Sequence, residues 1–246
     1  LLDLMDHNAF TLDQLQYLVI DEADKMFQMG FGEEMDRILK AIPKKKQSIL
    51  FSATLNEKVD EIKATLKINP IVVEVKQQDV DLDAIEQIAY KVDDETKGPF
   101  LRYLIKSNQV TQALVFVSST RTADNLVEKL KKNKIHALAI HSKKSQGARM
   151  DNLEDFKLGD VQILVATDLI GRGIHIEGLP TVINYELPRS PLDYVHRIGR
   201  TGRANSSGKA ISLITEEDLH HFKIIQKKMG RKVDLLSIDD VNLHGY

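Results

Sequence analysis

The feature that most limits how this chain can fold is an alternation of short apolar runs with amphipathic stretches. Residues 16–20, 48–51 and 71–75 read as buried strands, and residues 33–41 and 57–66 carry apolar side chains at helical spacing. Strands that alternate with helices predict parallel sheets covered on both faces. A polar, acidic stretch, KQQDVDLDA at 76–84, interrupts the pattern. It then restarts with strands over 85–92, 113–117, 135–140, 163–166, 181–185 and 210–214. Helices are predicted over 100–107, 120–132, 146–158, 192–198 and 216–229. The division is therefore a first unit at 1–76, a linker at 77–84 and a complete α/β domain at 85–246. Three strands are too few for an independent doubly wound sheet, so the N-terminal part of the first unit is expected to be absent. An exposed edge or apolar face, with a tendency to self-associate, should follow.

Composition narrows the function classes. There is no cysteine, which excludes disulfides and thiolate metal sites and fits a reducing compartment. The formal net charge is -2 with 28% charged residues, so any nucleic-acid site must be local. No apolar run approaches the roughly 18 residues of a membrane span, and the opening LLDLMDHNAF is not a signal peptide.

Four constellations carry chemistry. In YLVIDEAD, residues 17–24, an apolar strand delivers Asp21, Glu22 and Asp24 at its carboxyl end, the edge where ligands bind in open α/β sheets. Carboxylates there can hold magnesium through water and orient an attacking water; alternatively they are a solvated acidic helix start. In ILFSATL, residues 49–55, Ser52 and Thr54 can bond those carboxylates or cap the following helix. In VATDLIGRGIHI, residues 165–176, Thr167 and Asp168 end a buried strand before Arg172, flanked by Gly171 and Gly173. That arrangement suits phosphate contacts, or is a glycine-rich turn with a surface arginine. In YVHRIGRTGR, residues 194–203, Arg197, Arg200 and Arg203 recur every third residue. Such guanidinium groups are costly together unless phosphates or carboxylates meet them. A triphosphate would, and a basic surface loop for RNA backbone is the alternative. Weaker features are Ser145, Gln146 and Arg149 at a helix start suited to anions, a solvated turn PKKKQ at 43–47, and His220 and His221, read as surface.

VIDEAD, SAT, VATDxxxRG and YVHRIGRTGR, in this order, closely resemble the later motifs of DEAD-box RNA helicases, and the match runs from about Tyr17 to Arg203. The wording at 145–149 and 187–194 is most similar to the bacterial RhlE-type branch. The LLDLM opening resembles the sequence just after the family's TPGR motif, which would put the glutamine motif and phosphate loop upstream. The resemblance implies two RecA-like parallel α/β domains, the first partial and the second the helicase C-terminal domain. It implies ATP and Mg2+ as cofactors, cytoplasmic location, and single-stranded or short duplex RNA as the partner, recognised by its backbone and remodelled by ATP hydrolysis between the domains.

By position, Asp21 and Glu22 would handle magnesium and the attacking water. Asp24 would meet Ser52, Thr54 and His196, coupling hydrolysis to domain closure. Arg200 and Arg203 would be arginine fingers on the γ-phosphate. Gln146, Arg149, Thr167 and Arg172 would hold RNA, and Gly173 and His175 the nucleotide. His175 departs from the family pattern, which usually has Asp there, so weakened nucleotide coupling is expected. No G-x-x-x-x-G-K-[ST] phosphate loop occurs in the sequence, so this chain alone is expected to be inactive. The alternative reading is a nucleotide-independent RNA-binding or protein-docking module; a DNA helicase is disfavoured by the spelling of the motifs.

Overall fold

The computed structural model describes residues 1–23, 26, 30–52, 57–66, 70–74, 82–107, 110–168, 178–202 and 208–246, with backbone only for 57–59, 65 and 66. It forms two compact units, Leu1–Lys76 and Gln77–Tyr246.

In the first unit, helix α1 (Leu2–Asp6) precedes two parallel strands, β1 (Tyr17–Ile20) and β2 (Gln47–Leu50), paired from Tyr17 with Gln47 to Ile20 with Leu50. Helices α2 (Gly32–Ala41) and α3 (Glu57–Leu66) accompany them. Glu33 and Glu34 open α2 and Lys40 closes it, each matching the helix dipole. Ile20 packs with Ala23, Met35, Leu39, Ile42 and Ile62, and Leu18 and Leu50 lie against this cluster. The period-2 alternation of strands sends the intervening side chains to the other face. There Tyr17 and Val19 are 65% and 58% exposed, with Ile49 and the adjacent Phe51 also exposed. The expected apolar face is thus present.

The strand expected at 71–75 does not form over its described part. Residues 71–74 join no ladder, and Ile71 is 93% exposed. An apolar run becomes a strand only where a neighbour offers main-chain partners, and no described strand does so here.

Among the described residues the second unit is an all-parallel sheet of seven strands. They are β3 (Ile85–Lys91), β4 (Ala113–Val117), β5 (Ala137–Ile140), β6 (Ile163–Thr167), β7 (Thr181–Asn184), β8 (Gly208–Ile214) and β9 (Leu235–Leu236). Their spatial order is β5-β6-β4-β7-β8-β3-β9. Between them run α4 (Asp94–Lys106), α5 (Thr120–Lys132), α6 (Gln146–Leu158), α7 (Pro191–Ile198) and α8 (Leu219–Met229).

Both sheet faces are covered, so the central strands are buried throughout. Val115, Val165, Ile211 and Leu213 pack on one side with Phe100 and Leu104 of α4 and Leu126 and Leu130 of α5. Leu114, Phe116 and Leu164 face the other side with Leu153 and Phe156 of α6. Ala210 and Ile214 also face that side, with Tyr194 of α7 and Phe222 of α8.

Local chemistry sets the helix limits. Ser119, Ser145 and Ser190 cap α5, α6 and α7 by accepting from Thr122, Ala148 and Leu192 amides. Helix α4 starts six residues before its predicted start at Phe100, because Asp93 and Thr96 form a capping box ahead of Gly98 and Pro99. Strand β9 was not predicted; two residues give no readable alternation. The turn Leu82–Ala84, within the expected linker, is fastened by Arg231, whose Nη1 donates to the Leu82 carbonyl and lies 3.0 Å from Asp83 Oδ1.

Candidate functional site

The acidic group of the first unit stands at the carboxyl end of β1. The Phe51 amide donates to the Ile20 carbonyl (2.8 Å) and the Ala23 amide to the Phe51 carbonyl (3.1 Å). These bonds hold Phe51 beside the turn that carries Asp21 and Glu22. Asp21 is exposed, and its Oδ1 accepts the Glu22 amide at 2.8 Å. Glu22 has φ 48°, the left-handed region that costs a non-glycine residue about 1 kcal/mol or more and recurs at functional sites. Asp24 and Thr54 lie outside the described residues.

The fit of magnesium to this group follows from its donor chemistry. Exposed carboxylate oxygens are hard ligands of the kind Mg2+ takes. Among the described residues no cluster of three or more His, Asp or Glu could cage a metal ion.

In the second unit, the carboxyl ends of β5 and β6 are neighbours, with Ile140 opposite Ala166. Thr167 follows on β6, and the turn after β5 leads to Ser145, Gln146 and Arg149. Gln146 is exposed, Arg149 half-buried and Thr167 buried. The Arg149 Nε and Thr167 Oγ1 atoms are out of contact with solvent and have no hydrogen-bond partner among the described residues. Unpartnered buried polar atoms cost about 1–3 kcal/mol each unless a ligand completes them.

The arginine series divides. Arg197 is 2% exposed and does not await a phosphate. Its Nε and Nη2 donate to Asp168 Oδ1 and Oδ2 at 2.6 and 2.8 Å. Its Nη1 donates to Asn184 Oδ1 (3.1 Å) and the Glu186 carbonyl (2.6 Å), and its guanidinium lies 4.9 Å from the Phe116 ring centroid. A carboxylate therefore meets this arginine, which corrects the expectation that a triphosphate would meet the whole series.

Arg200 is held by its main chain: its carbonyl accepts the Leu179 amide at 3.1 Å, and its amide donates to the Arg197 carbonyl at 3.1 Å. Thr201, fully buried, donates its hydroxyl to the Leu179 carbonyl. Leu179 lies just before β7, whereas Asn184 ends it, so the main chain at Arg200 and the Arg197 guanidinium are anchored at opposite ends of that strand. Gly202 takes φ 72°, and a Cβ there would meet Ile85 Cγ1 at 2.5 Å. Ser52, His196 and Arg200 are half-buried, and none is without a partner. Arg172, Gly173, His175 and Arg203 lie outside the described residues. Of the two histidines read as surface, His220 is exposed, but His221 is half-buried with Nε2 2.7 Å from the Pro188 carbonyl.

Residues 1–62 match the family model described as DEAD/DEAH box helicase, and residues 96–205 match the helicase conserved C-terminal domain. The chain belongs to the DEAD-box family. It is 38% identical over 235 residues to the ATP-dependent RNA helicase RhlB of Pseudomonas syringae pv. tomato, covering 95% of this chain and 59% of that protein. The DEAD-box fold is shared with S. cerevisiae Dbp5 bound to RNA and ADP BeF3, 32% identical with a TM-score of 0.79, covering 97% of this chain and 64% of that one. The C-terminal domain of the DEAD-box protein Dbp5 matches at 30% identity and a TM-score of 0.61, covering 65% of this chain and 94% of that one. This DEAD-box chain thus spans about three-fifths of the length of the RhlB it matches. Other relatives at 35–37% identity are named RRP3 and CshA.

Sequence reasoning did not assign Asp168, Asn184 and Glu186 to Arg197. The only signal was the pairing of a strand-end carboxylate with an arginine series, and spacing alone does not say which arginine it meets.

Proposed function

We propose that this chain is part of an RNA-dependent ATPase that unwinds or remodels short RNA duplexes. The carrying observation is that two buried donors, Arg149 Nε near the start of α6 and Thr167 Oγ1 at the end of β6, have no hydrogen-bond partner among the described residues, α6 following β5, the neighbour of β6. Phosphate oxygens of a single strand would complete both, with Gln146 and Arg172 adding contacts. Recognition through phosphate and sugar is largely independent of base sequence.

In the same proposal, ATP is the substrate and magnesium, when bound, neutralises developing phosphate charge. Asp21 would hold that ion through water, and Glu22 would orient the attacking water. Arg200 and Arg203 stabilise charge on the γ-phosphate, a role worth about 10³–10⁵ in rate. Gly173 and His175 contact the nucleotide, and Asp24, Ser52, Thr54 and His196 couple hydrolysis to RNA binding. No described helix is long and apolar enough to cross a membrane, and a cytoplasmic location is part of the proposal.

RNA anisotropy on the chain itself tests the first part. Unrelated single strands should bind alike, and Arg149→Ala and Thr167→Val should weaken all of them. Thr167→Val preserves volume and removes only the hydroxyl, so unchanged RNA affinity would count against the site. The second part is tested in a longer protein that carries both these residues and a phosphate loop. Glu22→Gln there should abolish RNA-stimulated hydrolysis, and His175→Asp should raise it. RNA binding without any nucleotide turnover would favour the docking-module reading instead.

A further inference from the structure

Outside these residues, the second unit carries a groove of about 900 Å3 between α8 and β9. Its apolar lining includes Phe222, Leu235 and Leu236. Its polar lining is lopsided. Lys223, Lys227 and Lys232 are exposed on it, and among the described residues none of the three forms an ion pair. Arg231 is committed to Asp83. Among the described residues Asp234 is the one acidic residue lining the groove.

The backbone adds a second, independent feature. Strand β9 is the last in the sheet order and pairs only with β3, through Ala89 with Leu235 and Tyr90 with Leu236. Among the described residues nothing pairs with its outer side, so amides and carbonyls there are open to another extended chain. The wall is rigidly built. Gly230 ends α8 in the left-handed conformation (φ 67°), and the Val233 amide donates to Gln226 Oε1 at 2.7 Å. After β9, Ile238, Val241 and Leu243 join the core on the α4 side of the sheet, so residues 231–238 form a strap around its edge.

We propose that this groove docks an extended, acidic segment of a protein partner. Apolar side chains of the segment lie on Leu235 and Leu236, both exposed. Its carboxylates meet Lys223, Lys227 and Lys232, and its main chain adds to the outer side of β9. A nucleic acid suits the surface less well. Single strands are held by aromatic faces on which bases stack, and the one aromatic ring here, Phe222, is 2% exposed. A phosphodiester backbone also offers no ladder of amides to a strand edge. The inference stands apart from the proposed ATPase, since none of the residues assigned to RNA or nucleotide lines the groove.

The test uses the 246-residue chain and a fluorescein-labelled twelve-residue peptide in which Leu alternates with Glu and Asp. Saturable anisotropy is expected, with amide shift changes confined to residues 219–236. The Lys227→Glu/Lys232→Glu double variant should weaken binding by roughly tenfold or more, and a peptide with Lys in place of Glu and Asp should not bind. Absence of saturable binding overturns the proposal. So does affinity indifferent to the charge reversals, or shift changes elsewhere on the chain. An RNA dodecamer that displaces the peptide, and loses its own affinity in the double variant, would make this a nucleic-acid site. Self-association that disappears in the same variant would assign the groove to a second copy.

Discussion

Arg197 and Asp168 face each other side by side, two nitrogens on two oxygens at 2.6 and 2.8 Å, and so tie helix α7 to the carboxyl end of β6. The guanidinium is almost wholly shielded from water, and its Nη1 donates to Asn184 Oδ1 and the Glu186 carbonyl. Removing Asp168 leaves the Arg197 charge buried and uncompensated; removing Arg197 leaves a carboxylate that is 32% exposed but also strips Asn184 and the Glu186 carbonyl of their donor. Arg197→Met or Asp168→Asn should each destabilise the second unit by about 3 kcal/mol, and the double change by clearly less than the sum. Urea midpoints of the four proteins in this cycle check the expectation. Arg197→Lys should not rescue, because an ammonium cannot reproduce the planar two-point geometry.

Asp124 holds the turn that leads into α6. His141 Nε2 is 3.0 Å and Lys144 Nζ 2.9 Å from its Oδ1, and the Lys144 amide donates to the His141 carbonyl at 3.0 Å. Burial opposes the Asp124 charge, but hydrogen bonds from His141 and Lys144 outweigh it, and its pKa is lowered. A lowered folded pKa means the stabilisation is in force above the unfolded carboxylate value, near 4, and is lost as pH falls through the folded one. Asp124→Asn should cost about 1 kcal/mol in urea at neutral pH and flatten the acid limb of the stability profile. If Gln146 and Arg149 bind RNA as proposed, it should also weaken RNA affinity.

Gly208 has no room for a side chain. A Cβ there would overlap the Thr201 hydroxyl and the Gly202 amide nitrogen. Since Gly202 is itself wedged against Ile85 and Ala84, the strand starts and the segment carrying Arg200 cannot part without loss of core contact. Gly208→Ala should destabilise by about 3 kcal/mol or more, seen as a lower urea midpoint. Gly147→Ala, which meets nothing within 4 Å, should be neutral or stabilising.

Tyr185 resists ionisation. Burial and the neighbouring Glu186 push its phenol up to about 12, and burial also raises Tyr194. A phenol that ionises near 10 when unfolded but later when folded stabilises fully below pH 10. That contribution is lost as pH rises from 10 toward 12. Ultraviolet titration of the six tyrosines should show a late component that moves to ordinary pH in urea, and Tyr185→Phe should remove part of it.

The exposed face of the first sheet should make the chain sticky. Val19→Lys together with Ile49→Glu replaces two apolar side chains with an opposite-charge pair in directly paired positions. Light scattering at rising concentration should show less association than for the parent chain.

The second unit was legible because its strands and helices each obey one period over enough residues. Helices α5 and α6 were placed to the residue, with serine caps marking their starts. Where the reading failed, the deciding partner lay far away in sequence. Residues 71–74 look like a strand but find no described neighbour, and β9 forms only because β3 offers it an edge. The strand-end residues Asp21, Glu22 and Thr167 were legible because a parallel sheet presents its carboxyl ends to ligands. The burial of Arg197 was not, since an arginine that meets a carboxylate and one that meets a phosphate look alike in sequence.

Strand β3 is the first of its sheet to be synthesised, yet it lies between β8 and β9, the last two. A nascent chain emerging from the ribosome therefore carries β3 unpaired until nearly all of the domain has followed. Long-range pairing of this kind delays folding and leaves apolar surface open meanwhile. Ile85 and Ala89, both wholly enclosed in the finished domain, are the side chains left waiting. They make β3 the segment of this domain with most need of a chaperone during translation.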